Sequence, residues 1–186
     1  NEEANAEVLF FKDGKRWFRT GDLGHMVEGK FLKITGRIKE QYKLENGKYV
    51  VPAPLEDMLC RSQFILQTLV YGDNEQSNVT LVVPDLVQLE AWAVKNSGGL
   101  SEGEVPLDLL QRVDVQELLS KEVAAASTTM KGFEAPRKWM YIEEPFTPDN
   151  QMLTPKMSLR RKNILEAYGH VIKGMYAGTD GFPVKS

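Results

Sequence analysis

The sequence predicts an α+β fold: a small sheet covered by helices, preceded by a short β-hairpin unit. Short apolar runs rich in β-branched and aromatic residues, at 64–71, 79–83 and 137–142, read as strands. Segments with apolar residues at helical spacing lie between and after them, most clearly Val115, Leu118, Leu119 and Val123. Two hairpin signals with glycine-containing turns, Lys12-Asp13-Gly14-Lys15 and Glu28-Gly29, come before any of these.

Val8-Leu9-Phe10-Phe11 and Trp17-Phe18-Arg19-Thr20 flank the first turn, and His25-Met26-Val27 and Phe31-Leu32-Lys33-Ile34 flank the second. Residues 1–38 form a β unit too short to stand alone. After Arg37 the pattern changes. Pro54 suits the first position of a helix through Leu55, Met58 and Leu59. The strand at 64–71 ends at Gly72-Asp73-Asn74, and the strand at 79–83 ends at Pro84. Asp85 can cap a helix running to Lys95. Ser97-Gly98-Gly99-Leu100-Ser101-Glu102-Gly103 reads as a flexible surface loop. A helix over 116–127, a strand over 137–142, a polar loop over 143–154 and a final helix over 160–175 complete the chain.

Hydrophobic residues make up 42% of the 186 positions, enough for a core, and charged residues 26%, with a net charge of -3. That balance argues against a general nucleic-acid binder. Cys60 is the one cysteine, which excludes an internal disulfide and a cysteine-built zinc site and fits a reducing compartment. His25 and His170 are too few for most metal sites. No apolar run approaches the roughly 18 residues a membrane span needs, and no secretory leader is evident. The chain opens at Asn1 without a methionine, as a piece of a longer protein would.

Candidate chemistry begins at Thr20-Gly21-Asp22. The glycine permits a sharp turn at a strand end, and the aspartate is presented from it. Such a carboxylate can accept two hydroxyl hydrogen bonds, as a ribose diol offers. It equally suits a turn aspartate bonded to its own backbone. Arg37 ends the second hairpin, and the fold-back brings it towards Asp22. Its planar donors suit a hydroxyl or a phosphate, or a plain surface ion pair. Trp92 and Trp139 read as core or half-buried aromatics, and Glu143-Glu144 as a solvated pair.

Phe18-Arg19-Thr20-Gly21-Asp22-Leu23-Gly24, followed about fifteen residues later by Ile34-Thr35-Gly36-Arg37-Ile38-Lys39, resembles the adenylate-forming superfamily. The stretch from Gln41 to Pro52, with Glu45-Asn46-Gly47 inside it, resembles the long-chain acyl-CoA synthetase (fatty acid–CoA ligase) branch. Asn1-Glu2-Glu3-Ala4 matches an acidic run that precedes this region there. The resemblance covers nearly all of the chain. It implies that residues 1–38 end a large AMP-binding domain. It also implies that 39–186 form a mobile C-terminal lid domain with a small mixed sheet and a hinge at Lys39. Asp22 and Arg37 would bind the nucleotide at the AMP ribose. The loop from Lys43 to Tyr49 would face the active site in the thioester-forming state, with Gly47 allowing close approach of CoA. An ordinary glycine turn is the other reading of that loop.

The implied reaction joins a long-chain fatty acid to ATP, then passes the acyl group from the adenylate to the thiol of CoA. Magnesium is implied with ATP, and the sequence offers no metal-ligand set. Adenylation needs a cation near developing phosphate charge. Thioester formation needs that cation withdrawn, which rotation about one residue achieves. The family places a lysine where Ser158 stands. This chain has Lys156 two residues earlier, and the long lysine stem makes Lys156 the catalytic candidate.

Arg160 and Arg161 are the fallback, expected at the exposed start of the last helix. Together with Lys156 and Lys162 they form a basic cluster suited to CoA phosphates or anionic lipid. The fragment alone is expected to be inactive, since the phosphate loop and fatty-acid tunnel lie elsewhere in this family. The alternatives are an enzyme loading acyl carrier protein and a non-catalytic nucleotide-binding scaffold. Ser158 favours the scaffold, and Asp22, Arg37 and Lys39 oppose it. The partners implied are fatty acid, ATP and CoA, with no nucleic acid; any peripheral membrane association would use parts not in this chain. The expected location is intracellular, in the cytoplasm or on the cytosolic face of a membrane.

Overall fold

A computed structural model of the chain describes residues 2–178. Asn1 of the acidic run and residues 179–186 of the expected lid lie outside the described residues. A short helix, α1 (Glu2–Val8), leads into β1 (Leu9–Lys12) and β2 (Lys15–Phe18), which pair antiparallel. Val8, expected in the first strand, instead closes the helix. The second hairpin is longer than its apolar pattern suggested. It pairs β3 (Asp22–Val27) with β4 (Phe31–Arg37), so that Asp22 stands opposite Arg37. Both hairpins leave large apolar side chains in solvent, among them Phe11, Phe18, Phe31 and Leu32.

A 3-10 turn, Ile38–Glu40, follows β4. Then come the two-residue strands β5 (Tyr42–Lys43) and β6 (Tyr49–Val50), paired around a turn. Helix α2 (Pro52–Leu59) begins two residues before Pro54. Pro52 takes the first helical position, where a missing N–H costs nothing, and Pro54 sits in the same first turn.

The centre of the molecule is the mixed sheet β7 (Ile65–Tyr71), β8 (Val79–Pro84) and β9 (Lys138–Tyr141). Strand β8 lies in the middle, antiparallel to β7 and parallel to β9, and all of its residues are buried. A strand buried on both faces reads as an unbroken apolar run, as Val79 to Val83 nearly does.

One face of the sheet, with Ile65, Val70 and Val82, packs on α2, α3 (Leu86–Asn96), a 3-10 segment (Pro106–Gln111) and α4 (Val113–Ser127). The other face, with Leu69, Leu81 and Met140, packs on α5 (Arg161–Tyr176) through Ile164, Val171, Ile172 and Met175. The Asp85 side chain caps α3, accepting from the Val87 and Gln88 N–H groups at 3.1 Å each. Two loops are more ordered than their composition implied. Arg112 holds the start of the Gly98-Gly99 loop by donating to the Gly99 and Ser97 carbonyls at 2.8 and 3.2 Å. The loop over 143–154 buries Phe146, Met152 and Leu153. The Gln67 side chain bonds both backbone groups of Phe146, at 2.9 and 2.8 Å.

A buried polar junction ties β5 to this core. The Tyr42 hydroxyl donates to Asn78 Oδ1 at 2.7 Å. Asn78, fully buried, donates through Nδ2 to the Phe133 and Glu134 carbonyls at 3.2 and 2.8 Å. Removing one partner of a buried bond leaves the others unsatisfied. In the intact protein, Asn78→Ala is expected to lower unfolding free energy by about 2–3 kcal/mol in urea titration.

Burial, reinforced by the negative charge of Glu56, pushes the Tyr42 hydroxyl far above its ordinary pKa. A group raised in the fold contributes stability that is complete below its unfolded pKa of about 10 and is lost as pH rises beyond it. Alkaline destabilisation is therefore expected from about pH 10 upward, and Tyr42→Phe should reduce its steepness.

Candidate functional site

Asp22 and Arg37 meet because two glycines shape the second hairpin. Gly21 has a φ of +79°, and its carbonyl accepts from the Ile38 N–H at 2.8 Å. The Asp22 N–H donates to Thr20 Oγ1 at 3.1 Å. Gly36 has a φ of +153°, and a Cβ there would collide with Val51 Cγ1. With that register, Arg37 Nε lies 3.5 Å from Asp22 Oδ1, and the two side chains are 71% and 32% exposed. Such a pair contributes little to stability. It leaves acceptor and donor positions free for a ligand.

Lys156 stands at the tip of a tight hairpin. Leu153 bridges Leu159, the Thr154 N–H donates to the Ser158 carbonyl, and the Met157 N–H donates to the Thr154 carbonyl, the last two at 2.8 Å. Pro155 and Lys156 are the two central residues of that turn. Met157 follows with a φ of +62°, a left-handed position that usually belongs to glycine. The Arg160 N–H closes the base on the Met152 carbonyl at 2.8 Å.

These groups share one open cleft of about 900 Å³, lined by Asp22, Arg37, Glu56, Cys60, Lys156 and Arg161 among others. At its floor, Glu56 Oε1 accepts from Arg161 Nη1 and from the Val70 N–H at 2.8 Å each. Glu56 Oε2 accepts from Arg161 Nη2 at 2.5 Å. Burial pushes the Glu56 carboxyl above the usual carboxylate range, while Arg161 and the Val70 amide pull it back. Burial, the largest single influence, would lower the Arg161 guanidinium, but its hydrogen bonds to Glu56 and the charges of Glu56 and Glu40 together leave it raised.

The cleft brings Asp22, Arg37 and Lys156 together, with the fallback Arg161 at its floor, and leaves out Lys39, Lys43 and Gly47. Lys39 lines a second cavity of about 590 Å³. Lys43, exposed at the end of β5, and Gly47, at a φ of +82° in the following turn, line neither. Arg161 corrects the expectation of an exposed helix start: its side chain is only 18% accessible. The basic cluster is reduced accordingly. Arg161 is neutralised by Glu56, and Lys162 lies 3.8 Å from Glu166.

Glu56 was missed in the sequence, although its signal is there. It occupies the i+4 place among Pro52, Leu55 and Leu59, on the buried face of α2. A carboxyl group in a core-facing stripe must either meet a buried cation or hold its proton. Among the described residues, no group of three or more His, Cys, Asp or Glu side chains could hold a metal.

A mixed sheet between helices, entered from a hairpin that ends in Arg37, has the architecture of the C-terminal domain of adenylate-forming enzymes. The chain belongs to the AMP-binding enzyme C-terminal domain family, whose profile matches residues 39–180. It is 37% identical over 180 residues to the long-chain-fatty-acid–CoA ligase FadD15 of Mycobacterium tuberculosis, covering 95% of this chain and 28% of that protein. Among solved structures, the adenylation domain of a carboxylate reductase from Mycobacterium chelonae matches with a TM-score of 0.72 at 23% identity, covering 95% of this chain and 25% of that one. The A-PCP didomain of a carboxylic acid reductase from Segniliparus rugosus, in complex with AMP, matches at 0.67 and 26% identity, covering 94% and 22%. The chain thus spans about a quarter of the length of these relatives.

Two substitutions test this geometry in the intact protein. Gly36→Ala is expected to cost about 2 kcal/mol or more through its collision with Val51. Glu56→Ala should cost about 3–5 kcal/mol because it strands a buried guanidinium. Chemical denaturation reads both, and a change under about 0.5 kcal/mol at either site would contradict its assignment.

Proposed function

We propose that this chain is the C-terminal part of an ATP-dependent, AMP-forming long-chain fatty acid–CoA ligase. The observation that carries this reading is the shared cleft of Asp22, Arg37 and Lys156. The 37% identity to a long-chain-fatty-acid–CoA ligase supports the substrate class. The AMP complex of the carboxylic acid reductase didomain supports the nucleotide.

In this reading, residues 1–38 finish the large domain, and residues from Lys39 onward form the lid. The exposed apolar side chains of the two hairpins support that boundary, since they suit a body that continues beyond them. The Asp22 carboxylate accepts from the ribose hydroxyls, and Arg37 donates beside it.

In the first half-reaction a carboxylate oxygen of the fatty acid attacks the α-phosphorus of ATP. The bond to the bridging oxygen breaks, and pyrophosphate leaves with the electron pair. The ammonium of Lys156 offsets the charge that develops there. In the second, the CoA thiolate sulfur attacks the acyl carbonyl and AMP departs. Before that second step, rotation at Lys39 withdraws Lys156 and turns the loop of Lys43 and Gly47 towards the acyl group. Magnesium would arrive with the triphosphate, and no step is assigned to it. The fragment alone does not turn over, and the intact enzyme acts inside the cell, in the cytoplasm or on the cytosolic face of a membrane.

Ser158, at the family's lysine position, favours a second reading as a non-catalytic scaffold. The test uses the intact protein with ATP, magnesium, palmitate and CoA, comparing wild type with Lys156→Ala. Wild type is expected to release AMP and acyl-CoA. The variant should lose about 100-fold or more of fatty-acid-dependent pyrophosphate exchange into ATP. Equal activity in both would move the catalytic cation elsewhere, and nucleotide binding by wild type without AMP release would support the scaffold.

A further inference from the structure

We propose that Arg161 is a positioning residue that bolts the exit of the hinge turn and the Lys156 hairpin into one rigid lever. The inference rests on the reading of Lys39 as hinge and Lys156 as catalytic cation.

Three elements converge on this one guanidinium. Its Nη1 and Nη2 bond Glu56 on α2 at 2.8 and 2.5 Å. Its Nε is buried and has no hydrogen-bond partner. The Glu40 carboxylate stands 3.6 Å from that nitrogen, within ion-pair range and beyond a hydrogen bond. Glu40 closes the 3-10 turn Ile38–Glu40, one residue after Lys39. Arg161 itself follows directly on the Lys156 hairpin, whose base is closed by Arg160 on Met152. Glu40, Leu159 and Arg161 line both cavities, so the bolt is part of the wall between them.

Chain connectivity gives this arrangement its consequence. A rotation at Lys39 carries Glu40 along with whatever Glu40 is fixed to. Fixed to Arg161, it carries α2, α5 and the hairpin as one body. Rotation then concentrates in the dihedrals of Lys39 and does not spread through Glu40 and Gln41. The same bolt sets the reach of Lys156 from the hinge. Lys156 shares the Asp22–Arg37 cleft in this arrangement, so the lever governs adenylation. It matters less to thioester formation, for which Lys156 is withdrawn. Arginine suits the role because its fork holds Glu56 by two bonds while Nε stays within ion-pair range of Glu40, which the single ammonium of a lysine cannot do.

The test uses full-length protein and measures the half-reactions separately. Arg161→Lys is expected to lower fatty-acid-dependent pyrophosphate exchange about tenfold and Glu40→Gln about threefold. Thioester formation from supplied acyl-adenylate and CoA should change less than about twofold. Equal losses in both half-reactions, the mark of a merely structural role, overturn the proposal, as does no loss in either.

If wild type itself shows no exchange, the ligase reading fails and hydrogen exchange decides the bolt. Amides 40–42 are then expected to exchange faster in full-length Glu40→Gln, with those of β7 and β8 unchanged. Unchanged exchange at 40–42 overturns it.

Discussion

The bidentate pair between Glu56 and Arg161 is the constraint around which the candidate site is arranged. Glu56 sits on the face of α2 that enters the core, where an unpaired carboxylate is costly. The partner that satisfies it is the first residue of α5, and the Val70 amide of β7 adds a third bond. One buried carboxylate therefore joins a helix on one face of the sheet, the central sheet itself, and the helix on the other face. Such a pair adds little net stability compared with a well-packed apolar contact, but it tolerates no loss of either member. Its effect is to make the start of α5, and the hairpin just before it, a fixed place.

The contrast with Asp22 and Arg37 is physical. That pair is long, at 3.5 Å, and largely open to solvent. Water competes for both groups, so a ligand that offers hydroxyls or phosphate oxygens displaces solvent and not a strong internal bond. The hairpin bearing Lys156 lies between these extremes. Its backbone is closed by its own hydrogen bonds, while its tip is exposed and holds Met157 in a left-handed conformation. The base of this hairpin is rigid and its tip is strained and accessible.

Around the 3-10 turn Ile38–Glu40, the chain is held on its C-terminal side by two kinds of contact. Glu40 faces Arg161, and Tyr42 bonds Asn78 deep in the core. On the other side, the Ile38 N–H bonds the Gly21 carbonyl of the hairpin. Lys39 stands between these anchorages. Its position follows from where hydrogen bonds and ion pairs begin and end on either side of it.

Local pattern alone carries the two hairpins, the order of the main strands and helices from α2 to α5, the cap at Asp85 and the motif around Asp22 and Arg37, but not α1, whose last residue Val8 reads as strand. Each of these is local: periodicity, turn chemistry and neighbouring residues carry it. Helix starts moved by two or three residues, as at Pro52 and Val113, because prolines and first-turn N–H groups suit several positions equally. Long-range packing sets β9 parallel to β8, lets Gln67 pin the loop at Phe146, and draws Arg161 inward. These depend on partners 79 to 105 residues apart along the chain, or on a strand from beyond α4. No local pattern encodes which buried carboxylate will meet which arginine, because the choice is made by the sheet that sets their distance.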